Sequence, residues 1–281
     1  MDLTPYGAIT SVVVERGGAI TDELYADGDA ESLRNTRSCT KTVLSLLAGI
    51  AGLDPSARVD ELYPRASGTV AGEASVRELL TMSSRLDADD WDDSSPGNEE
   101  LMYPSDDWVQ FALSLPARAE AGFSYCTAGV VLLGAAVEHA LGEPLTAHAQ
   151  RELFTPLGID RFEWPRAPRG ETSCAGGLEL RSRDLLALGR LALPGREGPV
   201  PGAWIRESTS AHARIDARTE YGYLWWIREF AGHRSVFMTG MGGSRVHVFP
   251  ELDLVAVITS ANFGVQGAHD LSDRLLVEQI L

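Results

Sequence analysis

Apolar and polar positions alternate in different ways along the chain, and each pattern predicts a different kind of element. Near the N-terminus, Ser11-Val12-Val13-Val14 and the stretch from Ile20 to Tyr25 flank Arg16-Gly17-Gly18, which predicts two strands joined by a tight turn. From Ser38 to Ile50 the residues beyond Lys41 are apolar on most faces, so a helix should run through the interior and end at Gly52 and Pro55. Between about Leu53 and Leu193 the period becomes helical, interrupted by polar and Pro/Gly loops. Helices are predicted over Val76 to Met82, Asp106 to Leu115, Ala128 to Ala140, Leu145 to Phe154 and Arg183 to Ala192. Residues Pro194 to Gly202 read as a loop. Beyond them, short runs rich in aromatic and β-branched residues predict strands at Gly222 to Ile227, Ser235 to Met238, Arg245 to Phe249 and Leu254 to Thr259. If Trp225 and Trp226 lie in a strand, one packs in the core and the other faces a helix or a cleft. The last segment, Ala268 to Leu281, sets Leu271, Leu275, Leu276 and Ile280 near one helical face.

Strands at both chain ends and helices between them imply an α/β (α+β) fold in which one sheet is assembled from both termini. The 281 residues are read as a single domain: 1–52 and 200–281 form a sheet-containing part, and 53–199 form an inserted helical part. No internal repeat or low-complexity tract interrupts it.

Composition narrows the function. A hydrophobic fraction of 44% is ample for a packed core. No apolar run approaches the roughly eighteen residues needed to span a bilayer, because Val130 to Val137 stops at Glu138 and Leu252 to Ile258 carries Asp253. The acidic Met1-Asp2-Leu3-Thr4-Pro5 start lacks the charge and apolar stretch of a secretory signal, and the three cysteines, Cys39, Cys126 and Cys174, have no metal-ligand spacing; a cytoplasmic protein with free thiols is expected. A net charge of −16 argues against nucleic acid or an anionic membrane as partner. The run Asp87-Ala88-Asp89-Asp90-Trp91-Asp92-Asp93 places Asp92 where a calcium loop needs glycine, so it reads as a solvated loop. The six histidines show no paired spacing, and no metal or cofactor is expected.

One count points to chemistry. Of 24 basic residues, 23 are Arg and one is Lys, Lys41. A desolvated ammonium can release its proton, whereas a guanidinium effectively cannot, so Lys41 is a candidate base. Ser38 lies three residues earlier, on the neighbouring position of one helical face, within reach of that amine. With 22 serines in the chain the spacing alone is modest support; its falling on the one lysine strengthens it.

Ser38-Cys39-Thr40-Lys41 resembles the S-x-x-K motif of the serine β-lactamase-like hydrolases, which include penicillin-binding proteins. Further stretches carry the likeness across nearly the whole chain: Leu153-Phe154-Thr155-Pro156-Leu157-Gly158-Ile159, Ala175-Gly176-Gly177-Leu178, Tyr221-Gly222-Tyr223-Leu224-Trp225-Trp226-Ile227 and Pro250-Glu251-Leu252-Asp253-Leu254-Val255. They look closest to the branch holding class C enzymes, esterases and nylon-oligomer hydrolases. The resemblance implies an antiparallel sheet with flanking helices and an inserted helical region. Tyr125-Cys126-Thr127 stands in the place of the family's Y-x-N, with Thr127 replacing Asn; beside a cationic Lys41 the Tyr125 phenol would ionise and relay protons. Met238-Thr239-Gly240 best matches the K-T-G strand, with a shifted register onto Met241-Gly242-Gly243 as the alternative, and either way the cationic first residue is lost. The resemblance further implies an oxyanion hole from the backbone N–H groups of Ser38 and Met241, and substrate contacts at Thr127, Met238, Thr239 and Gly240.

The reading is a serine hydrolase that cleaves a small-molecule ester or amide through acyl-Ser38, with Lys41 and Tyr125 as base and acid. Without a motif-three cation, a neutral or cationic substrate with an apolar acyl part is expected. Two alternatives stand beside it: a transacylase that passes the acyl group to an amine or alcohol, and a non-catalytic binding protein with a degenerate site.

Overall fold

A computed structural model describes residues 1–281. Its main sheet is antiparallel and eight-stranded, built from β1 (Ile9–Arg16), β2 (Ala19–Tyr25), β5 (Ala213–Arg214), β6 (Thr219–Tyr221), β7 (Trp226–Phe230), β8 (His233–Gly240), β9 (Ser244–Phe249) and β10 (Leu254–Ser260). The order β2-β1-β10-β9-β8-β7-β6-β5 puts the first hairpin against the last strand, so both chain ends share one sheet. A two-stranded ribbon, β3 (Arg34–Asn35) with β4 (Glu179–Leu180), lies apart from it.

The central strands are apolar at successive positions because both of their faces are covered. In β1, Val13 faces the larger core with Val246, Val248, Val255 and Val257. Its neighbours Val12 and Val14 face a smaller core with Phe237, Phe249, Ala256 and Ile258, closed by Leu275 and Leu276 of the C-terminal helix. That helix runs over Ala268–Leu275 and continues as one π-helical turn, Leu276–Ile280.

Most expected elements are present. The Cys39–Ile50 helix is buried along nearly its whole length, and Thr127–Leu141 is the longest helix of the inserted region, closed by Gly142 in the left-handed conformation. Two expectations are corrected. Residues 222–225 are not strand: Leu224 takes a φ of 60°, Tyr223 N–H donates to the Ser208 carbonyl (2.9 Å) and Leu224 N–H to the Leu80 carbonyl (2.8 Å), so this segment ties the sheet to the helices. The Ser182–Arg190 helix, expected within the inserted part, packs instead on β1, β9 and β10. Periodicity marks its apolar face but not the layer it covers.

Gly189 allows that approach. A Cβ there would lie 2.7 Å from Cγ1 of Val255 and 2.9 Å from Cγ1 of Val246. We expect Gly189→Val to destabilise the fold by roughly 1–3 kcal/mol through overpacking, outweighing the gain of replacing a helical glycine. Equilibrium unfolding in urea checks this; an unchanged midpoint and slope would show that the sheet face yields.

Candidate active site

Ser38 stands at the N-cap of the Cys39–Ile50 helix, where a serine hydroxyl ordinarily accepts from a first-turn N–H. It makes no such bond here. Its Oγ accepts instead from Lys41 Nζ at 3.0 Å, and the same amine donates to the Ala175 carbonyl at 2.6 Å. Lys41 is only 2% exposed. The helical spacing aims both side chains one way, and the Ala175 loop closes over them.

Three local features bring these segments together. Arg37, just before the nucleophile, is held at φ 52°, a conformation that costs of order 1–3 kcal/mol in a non-glycine residue. Gly176 passes close to the Arg37 carbonyl, where an added Cβ would sit 3.3 Å away. The β3–β4 ribbon fastens the segment before Ser38 to the segment after Gly177. At the end of β8, Gly240 lies against the Thr36 carbonyl, closer than any side chain would allow.

Tyr125 is buried at the start of the Thr127–Leu141 helix, with its ring centroid 5.3 Å from Lys41 Nζ and its phenol beside Ser38. Burial pushes the phenol above its ordinary pKa, although Lys41 and Ser38 pull it down. Desolvation outweighs the neighbouring amine, so the surroundings of the phenol oppose the ionisation expected of it.

Ser38, Tyr125, Thr239, Gly240 and Met241 line one cavity of about 490 Å³ together with Asp90, Trp91, Glu99, Trp226, Phe237 and Arg245. Ser38, Glu99 and Met241 also line a second cavity of about 410 Å³, bounded by Tyr103, Trp108 and Gly176. Ser38 therefore opens on both. Neither the Ser38 nor the Met241 backbone N–H donates to another protein atom, which leaves both free for an incoming oxygen.

Two expected substrate contacts do not reach the cavity. Met238 points into the core, because strand alternation turns Phe237 and Thr239 toward the cavity and Met238 away. Thr127 is fully buried, and its hydroxyl donates to Glu99 Oε2 at 2.9 Å. Glu99, also held by the Tyr103 hydroxyl at 2.8 Å, is the group that faces the cavity. Of the tryptophan pair, Trp225 is core and Trp226 lines the cavity.

The beta-lactamase family model matches residues 11–279. The chain belongs to the beta-lactamase family. It is 26% identical over 286 residues to the 6-aminohexanoate-dimer hydrolase of Paenarthrobacter ureafaciens, spanning 89% of this chain and 71% of that protein. A candidate 6-aminohexanoate-dimer hydrolase from Bacillus anthracis superposes with a TM-score of 0.83 at 16% identity, over 96% of this chain and 78% of that one. EstCE1, a hydrolase with promiscuous acyltransferase activity, superposes at 0.75 with 19% identity, over 96% and 93% of the two chains. Within the family the chain is a serine hydrolase, which sets aside the binding-protein alternative.

Against the family pattern, the site keeps its hydroxyl, amine and phenol but moves its charges. The third motif lacks a cation, yet Arg228 from β7 and Arg245 from β9 line the cavity, both within ion-pair distance of Asp273 (3.6 and 3.1 Å). Loss of the motif-three cation therefore does not leave the cavity without basic groups. Sequence reading missed these residues because nothing in their local spacing distinguishes them from ordinary strand arginines.

The acidic run is also corrected. Asp90 is not a solvated carboxylate: its oxygens accept from the Thr127 N–H (2.8 Å) and the Glu99 N–H (2.9 Å) at the starts of two helices. Burial raises its pKa to about 6, and nearby Glu99 adds to the rise. Cys126 is also buried. Its Sγ accepts from Gly129 N–H at 3.2 Å as a helix cap, and burial pushes its thiol up to about 12, as it does that of Cys39.

The raised Asp90 carboxyl gives a signed pH dependence. Its neutral form is favoured in the folded state, so its stabilising contribution is complete below about pH 4 and is lost as pH rises through about 6. Relative to Asp90→Asn, the wild type should lose up to ~3 kcal/mol of unfolding free energy between pH 4 and 7. Paired denaturant titrations across that range measure it, and a parallel pH response of the two proteins would refute the assignment.

Proposed function

We propose that the protein cleaves an ester or amide of a small molecule through a covalent acyl intermediate on Ser38, with Lys41 and Tyr125 moving the proton. The observation that carries this reading is the 3.0 Å contact from the buried Lys41 Nζ to Ser38 Oγ, a hydroxyl that opens onto two cavities. As Oγ attacks the substrate carbonyl, its proton passes to the Lys41 amine. The free N–H groups of Ser38 and Met241 hold the oxygen that gains charge. Tyr125, kept protonated by burial, donates to the departing alcohol or amine as the C–O or C–N bond breaks. Water then adds to the acyl carbon and gives one proton to the Tyr125 phenolate, and as the bond to Oγ breaks Lys41 returns its proton to Oγ, so the carboxylic acid leaves with Ser38, Lys41 and Tyr125 restored.

A second reading, transfer of the acyl group to an amine or alcohol, draws support from the second cavity. An acceptor seated there would reach the same acyl carbon while the first cavity still held part of the substrate. Product analysis with and without added amine distinguishes the two.

Ser38→Ala should abolish both turnover of p-nitrophenyl esters and labelling by a fluorophosphonate probe; equal labelling of variant and wild type would overturn the acyl-Ser38 route. Lys41→Arg keeps the charge but loses the exchangeable base, and should lower kcat/KM by about two orders of magnitude. Short p-nitrophenyl esters should turn over faster than a chromogenic cephalosporin, and the reverse order would refute that preference.

A further inference from the structure

Trp91 is the one tryptophan left exposed, at 58%, and it stands at the mouth of the cavity rather than on an open surface. Its loop is ordered around it. The Trp91 N–H donates to Asp89 Oδ1 (2.9 Å), the Asp90 N–H to the Tyr125 carbonyl (2.8 Å), and the Asn98 side-chain amide to the Asp92 carbonyl (3.2 Å). These bonds set the indole parallel to the Tyr125 ring, at 4° and 5.6 Å between centroids, with Trp226 at 6.2 Å and Phe123 at 5.8 Å. One large apolar side chain is thus held rigid, half uncovered, and aligned with a wall of aromatic rings. A planar group placed against it would bury the exposed indole and gain stacking contact.

Resting on the hydrolase reading above, we propose that Trp91 and Trp226 form a stacking wall for the leaving group, making Trp91 a specificity-determining residue for esters and amides of aromatic alcohols and amines. The leaving group is assigned to this cavity because Tyr125, its proton donor, lines this cavity and not the second one.

The test compares 2-naphthyl acetate with trifluoroethyl acetate, which share an acyl group and differ in the leaving group. Taking each variant as a ratio to wild type on the same ester cancels intrinsic reactivity. Trp91→Ala should lower kcat/KM about tenfold more for the naphthyl ester than for the trifluoroethyl ester, while Trp91→Phe keeps most of the naphthyl activity. Equal losses on both esters would mean that Trp91 only supports Tyr125, and no loss on either would mean that it touches nothing; both outcomes overturn the proposal. A second measurement does not depend on turnover. Ser38→Ala should bind 2-naphthyl acetate, and adding Trp91→Ala should weaken that binding about tenfold by isothermal titration calorimetry. Turnover persisting in Ser38→Ala would sink the acyl-Ser38 reading alone, whereas unchanged binding in the double variant would sink the stacking wall alone.

Discussion

The amine of Lys41 is buried with no carboxylate hydrogen-bonded to it. Its partners are a hydroxyl and a backbone carbonyl, Ser38 Oγ and Ala175 O. Burying an amine costs free energy unless hydrogen bonds inside the protein replace those it made to water. Here two acceptors sit on the amine, and the Asp90 carboxyl lies close enough to feel it. Each acceptor comes from a different part of the chain, so the helix, the Ala175 loop and the end of β8 must converge on one point. The left-handed Arg37, the bare backbone of Gly176 and the close approach of Gly240 to Thr36 are the local costs of that convergence.

Much of this was legible because the strongest signals are local. The lone lysine marked its own position, and the Ser38 spacing needed only the pitch of a helix. The sheet shared by both termini followed from where the strand-like runs fall. What stayed hidden depends on contacts distant in sequence. Asp90 looked like one more charge in an acidic run, and its burial is set by the starts of two helices at Glu99 and Thr127. Met238 and Thr239 are adjacent letters in one motif, yet the strand's period of two sends one to the core and the other to the cavity. Segment 222–225 has the aromatic content of a strand but bonds to helical carbonyls, a choice made by tertiary partners rather than propensity.

The site also shows how groups outside a motif can supply polarity that the motif has lost. Thr127 cannot present an amide, but its hydroxyl and that of Tyr103 orient Glu99 from outside the motif. The third motif has no cation of its own, but neighbouring strands deliver Arg228 and Arg245 to the same cavity. Reading the motif alone therefore misjudges the electrostatics of the pocket. The carboxylate Glu99 and the two guanidiniums line a single cavity, so a substrate meets both signs of charge beside its aromatic wall.

Asp90 and Trp91 are consecutive, and their opposite fates make the loop informative. Asp90 turns inward to cap two helices while its N–H grips the Tyr125 carbonyl; Trp91 turns outward and lies flat over the Tyr125 ring. The same short segment thus fixes the backbone that positions the phenol and the surface that a substrate would contact first. A change that loosened Asp90 would disturb both, because its N–H holds the Tyr125 carbonyl and its neighbour carries the indole. On the proposed reading, recognition of the leaving group and delivery of its proton would be built on one stretch of chain, and a ligand stacked on Trp91 would be registered against the phenol.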